Sequence, residues 1–166
     1  MPDRARRPTH NPPTAADHIL AHPFETAVAL WWVVIGVMLL VAHLAPGASA
    51  SPSVEMLPDW LVLALAGAIL AAGVLALAGL LWPGRWLTTA LAVERLGWLL
   101  GAAAWGGYLA ATYAAFPSSL VSVSLAAVMV TGAVLRILAL YRVERDAETA
   151  IEQTARHDDG AGAPRA

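Results

Sequence analysis

From Trp60 to Trp82 the chain carries no charged residue, and three more apolar blocks of similar length accompany it: Phe24 to Leu44, Leu96 to Phe116 and Leu120 to Tyr141. About 20 apolar residues in a helix match a hydrocarbon core about 30 Å thick. Four such blocks leave little sequence to cover a water-soluble core. Charged residues are 13% of the chain, against about 25% in ordinary soluble domains. Lipid offers no hydrogen bonds, so the backbone must satisfy itself inside each segment. No block alternates as a barrel strand does. The expected fold is all-α: a polytopic membrane protein with a four-transmembrane-helix bundle over residues 24–141 and the lipid bilayer as its main partner.

The placement of basic residues orients that bundle. All 10 are Arg. Arg4, Arg6 and Arg7 precede the first block, and Arg85 and Arg95 lie between the second and third. Arg136, Arg142, Arg145, Arg156 and Arg165 stand at or beyond the end of the fourth. The connection from Ala45 to Asp59 has no Arg and carries Glu55 and Asp59. With four crossings every Arg falls on one side, and the positive-inside rule makes both termini cytoplasmic. Trp60, Trp82, Trp86 and Tyr141 sit at block ends, where amphipathic rings favour the interface.

The flanking segments read differently. Residues 1–23 are polar and interrupted by five prolines, which predicts a disordered cytoplasmic tail. Within it Thr14-Ala15-Ala16-Asp17 has the spacing of a capping box and predicts a short helix that Pro23 stops. Past Tyr141 the run Arg142 to Arg156 has no Gly or Pro, and its charges fall at helical spacings, as in Arg142 with Asp146 and Glu152 with Arg156. This predicts a cytoplasmic charged helix continuing the fourth span over 142–156. The last ten residues, 157–166, predict a disordered tail. Ala48-Ser49-Ala50 after the first block resembles a signal-peptidase site, but that block is longer than the 7–15 apolar residues typical of a signal peptide.

Chemistry-bearing residues are few. Arg136 is the one charge clearly inside a span, Glu25 standing at the very start of the first. It lies about 6 Å of helix rise before Leu140, close enough for its guanidinium to snorkel to the cytoplasmic interface. If it has a partner, Glu94 at the start of the antiparallel third span is the expected one, an intramembrane ion pair tying spans 3 and 4 together. Small residues form rows suited to close helix packing or oligomerisation: Gly97 with Gly101 on one face of span 3, and Ala103, Gly107 and Ala111 on another. His18 and His22 are four apart but supply at most half of a metal site, and His43 ends span 1. The chain has no Cys and lacks the nucleotide-binding, zinc-protease and nucleophile-elbow motifs. No cofactor, metal or catalytic residue is expected. No carboxylate lies inside a span to serve a proton relay, and a net charge of -2 does not point to nucleic acid.

His22-Pro23-Phe24-Glu25, Leu57-Pro58-Asp59-Trp60-Leu61, Val93-Glu94-Arg95-Leu96-Gly97-Trp98 and Leu135-Arg136 through Arg142-Val143-Glu144-Arg145 carry a resemblance. Across His22 to Arg145 the chain resembles small four-span membrane proteins of actinobacterial phages and prophages, some of them regarded as holins. That resemblance implies a bacterial host inner membrane, self-association there, and permeabilisation during host lysis. The competing expectation is a non-catalytic scaffold or accessory subunit that docks a cytoplasmic protein through residues 142–156.

Overall fold

The computed structural model describes residues 19–45, 52–55, 57–82, 87–115 and 119–161. Its elements are α1 (Pro23–Leu44), the short α2 (Pro52–Glu55), α3 (Asp59–Leu80), α4 (Leu87–Ala115) and α5 (Leu120–Ala161). Three of them are long and apolar enough to cross a membrane: α1, α3 and the Leu120–Arg145 part of α5. The expected capping box, His18, the Ala48-Ser49-Ala50 site and residues 83–86, with Arg85, lie outside the described residues.

Local chemistry sets the helix starts. Pro23 occupies the first turn of α1, where its missing N–H costs nothing. The His22 carbonyl accepts from the Thr26 N–H at 3.1 Å and from Thr26 Oγ1 at 2.8 Å. Pro58 in an extended conformation leads into α3, with Asp59 in the first turn, where a carboxylate favours the helix dipole. Two boundaries differ from the sequence expectation. α4 starts at Leu87 and not near Leu96, because nothing from Leu87 to Arg95 breaks a helix. α5 runs to Ala161, past residue 157, because extending a nucleated helix costs far less than starting one.

The helices pack as neighbours in the order α1, α3, α4, α5, while α1 and α5 do not pack along their length. The main core joins Ala29 and Trp32 of α1, Ile69, Ala72 and Ala76 of α3, Trp98, Ala104 and Trp105 of α4, and Ala126, Ala133 and Ile137 of α5. A second cluster of Val54, Leu57, Val62 and Leu65 closes one end, against Leu39, Tyr108 and Ala111. At the other end Gly79, near the end of α3, meets the backbone of Glu94 near the start of α4.

Small residues let these backbones approach. A Cβ on Gly97 would stand 2.5 Å from the Ala76 nitrogen and 2.9 Å from the Ala72 oxygen of α3. A Cβ on Gly101 would penetrate the ring of Trp32. Trp32, 0% exposed, thus bridges α1 to α4. It meets Trp98 edge to face with centroids 4.9 Å apart, a favourable aromatic geometry.

Candidate functional site

Arg136 is the centre of the site. Its Nε donates to Glu94 Oε1 at 2.9 Å, with Nη2 2.8 Å from the same oxygen. Nη1 donates to Glu25 Oε1 at 2.9 Å. Trp98 Nε1 also donates to Glu94 Oε1, at 3.2 Å. The side chains of Glu94, Arg136 and Glu25 are 5%, 15% and 22% exposed. A buried carboxylate needs paired charge and several donors, and Glu94 has both. His22 Nδ1 lies 3.8 Å from Glu25 Oε1 at the cluster's edge.

The fold builds this cluster from three separated segments. Glu25 is in the first turn of α1, Glu94 lies one turn before Trp98 on α4, and Arg136 is in the second half of the apolar Leu120–Arg145 part of α5. The up-and-down path brings all three to one end of the bundle. Glu94, the partner expected for Arg136 if it had one, accepts from it, and the pair replaces the free snorkelling otherwise expected. The guanidinium is held between two carboxylates and is not extended alone toward an interface. Glu25 is the residue that sequence reasoning missed. A signal was available: spans 1 and 3 begin on the same side, so Glu25 and Glu94 share a level with the end of span 4.

Next to the cluster Arg95 Nη1 donates to Glu144 Oε2 at 3.0 Å, and its guanidinium lies over the Tyr141 ring at 4.8 Å. These contacts fix α5 to α4 where the charged helix begins. The expected partners of Arg142, Arg145 and Glu152 lie outside the described side chains.

The small-residue rows divide by face. Gly97 and Gly101 are buried in the chain's own core and are therefore unavailable as an oligomerisation surface. Ala103 and Gly107 are exposed and Ala111 is partly buried. A Cβ on Gly107 would meet only Leu65 Cδ2, at 3.7 Å.

Among the described residues, three buried polar atoms have no hydrogen-bond partner: Trp32 Nε1, Trp105 Nε1 and Thr112 Oγ1. At the far end His43, Glu55 and Asp59 line a polar cavity of about 440 Å³. Among the described residues no group of three His, Asp or Glu is placed to hold a metal ion.

Comparison with protein-family models, with curated proteins and with solved structures gave no match.

Proposed function

We propose that the chain is a non-enzymatic, holin-like membrane protein that crosses a bacterial inner membrane four times with both termini in the cytoplasm. In this reading it self-associates in the membrane and permeabilises it. α4 serves as the fourth crossing although it is less apolar than the other three crossing segments. Hydropathy measures what lipid requires, and α4 turns part of its surface to protein: it packs against α3 and α5 and holds Trp32 of α1. Its one buried charge, Glu94, is paired.

The observation that carries self-association is the outward row on α4. Ala103 and Gly107 are exposed small residues that the chain's own packing does not use, and such rows let membrane helices approach closely. The test is inducible expression in bacteria with a co-expressed endolysin lacking an export signal, following turbidity and membrane potential. Abrupt collapse and lysis are expected, and Gly107→Leu should abolish them while leaving the inserted monomer folded. Continued growth with the wild-type protein demonstrably inserted would overturn the reading.

A second reading rests on a different observation. α5 is a single helix about 63 Å long, twice the thickness of a hydrocarbon core, and Arg95 anchors its charged part. A scaffold that docks a partner on that extension would need such a support. Charge reversal of Glu144, Glu148 and Glu152 together should then abolish function without affecting insertion. A lesion former should instead show only altered timing.

A further inference from the structure

The unpacked seam between α1 and α5 holds a cavity of about 420 Å³, floored by Trp98 of α4 and walled by Val28 and Phe24 of α1 and Met129 and Gly132 of α5. Phe24 and Val128 at its rim are exposed, so it opens sideways. On helices that cross a membrane, a sideways opening faces lipid. Glu25 and Arg136 line its upper end, and Val128 lies about 12 Å of helix rise below Arg136. The walls are apolar throughout that depth.

Volume and charge together select an occupant. The cavity lies within the roughly 300–1,000 Å³ of small-molecule sites, and its apolar, laterally open walls suit an acyl chain. At the upper end Arg136 is engaged at Nε, Nη1 and Nη2 by two carboxylates, which match its charge before any lipid arrives. Glu25, Glu94 and Arg136 sum to one negative charge, and Glu25 is the most exposed of the three. That charge disfavours an anionic headgroup and favours an ammonium.

We infer that the α1–α5 seam is a binding site for a single phospholipid with a primary ammonium headgroup, its acyl chain between the helices and its ammonium on Glu25. Phosphatidylethanolamine is the probe of that class, and phosphatidylglycerol with the same acyl chains is the anionic comparison.

Gly132 supplies the decisive variant. A Cβ there would meet nothing within 4 Å, so Gly132→Leu fills the seam without disturbing a neighbour. The full-length protein in detergent micelles would be titrated with each lipid and examined by native mass spectrometry, with circular dichroism confirming helicity. The wild type should retain one phosphatidylethanolamine per chain, roughly fivefold in preference to phosphatidylglycerol, the scale of one partly exposed ion pair. Gly132→Leu should lower retention of both lipids about tenfold. Glu25→Gln should keep retention but erase the preference. Equal or greater retention of phosphatidylglycerol by the wild type would overturn the assignment. So would no retention of either lipid, or a Gly132→Leu protein that binds phosphatidylethanolamine as well as the wild type. A dimer that Gly132→Leu dissolves, with no lipid bound, would make the occupant a second copy. None of these readouts depends on lysis, so the site and the holin-like reading fail separately.

Discussion

Replacing Arg136 by Met tests whether the cluster holds the bundle or merely decorates it. The substitution keeps the stem that packs against the groove and removes the guanidinium. Glu94, 5% exposed, is then left with Trp98 Nε1 as its described donor. Removing one partner of a buried ion pair costs about 3–5 kcal/mol, because the other charge remains buried and unpaired. Glu25 contributes little to that cost: at 22% exposure it can recover hydration, as surface pairs do, for about 1 kcal/mol or less. Arg136→Met should therefore lower the unfolding free energy by about 3 kcal/mol. Glu25→Gln should lower it by no more than about 1 kcal/mol. Adding Glu94→Gln to Arg136→Met should return about 2 kcal/mol, since a neutral amide needs no counter-charge and its oxygen still accepts from Trp98. The assay is equilibrium unfolding in mixed micelles, followed by Trp fluorescence and helicity. A snorkelling Arg136 makes the opposite prediction: a single-mutant cost under about 1 kcal/mol and no rescue by Glu94→Gln. That result would refute the argument from burial.

Three other predictions are independent of the cluster. Gly97→Leu should prevent a stable fold because its side chain meets the backbone of α3, whereas Gly106→Leu, with nothing within 4 Å of its Cβ, should change unfolding by less than about 0.5 kcal/mol. Equal behaviour of the two variants would contradict the α3–α4 contact. Arg95→Ala should speed hydrogen exchange of the Arg142 to Arg145 amides while costing less than about 1 kcal/mol overall, as Arg95 and Glu144 are both partly exposed. Unchanged exchange would mean that this contact does not anchor the extension. Because the chain has no Cys, single cysteines report orientation cleanly: Thr149→Cys should be shielded from an impermeant thiol reagent in intact cells, and Glu55→Cys should be labelled. The reverse pattern would invert the proposed topology.

Where covalent chemistry marks a boundary, the sequence reading and the structure agree. α1 and α3 begin and end within two residues of the expected spans because Pro23, Pro58 and the neighbouring carboxylates punctuate them. α4 begins nine residues early because Leu87 to Arg95 contains no breaker, and an apolar stretch beside a Glu-Arg pair does not reveal whether it lies on the membrane or continues a helix. The meeting of Glu94 with Arg136 was legible from antiparallel neighbours. For Glu25 only its level was legible, because a chain written in order does not state which non-consecutive helices face each other across a seam. Gly97 and Gly101 announced close packing; Gly97 meets Ala72 and Ala76 of the preceding span α3, but the partner of Gly101, the Trp32 ring of α1, depends on the same hidden relation. Trp32 in particular reads as one more apolar residue until the missing Cβ of Gly101 gives its ring a place.

The cluster's contribution to stability differs from the cost of breaking it. Two carboxylates and a guanidinium must each be desolvated, and replacing a buried ionic group wholly by apolar residues of similar volume is often neutral or stabilising by about 1–4 kcal/mol. In Glu25→Leu, Glu94→Met, Arg136→Leu combined, no buried charge is left over. The one orphaned donor is Trp98 Nε1, worth about 1–3 kcal/mol. The triple variant should therefore unfold within about 2 kcal/mol of the wild type and above Arg136→Met, although it removes more contacts. It should also lose the preference for an ammonium headgroup while retaining acyl-chain binding, because the seam walls are unchanged. That combination would separate the two roles: the charges would be dispensable for folding and required for choosing the lipid. A triple variant no more stable than Arg136→Met would instead mean that the attraction within the cluster exceeds its desolvation cost, and that Glu25 closes the bundle as well as facing the bilayer.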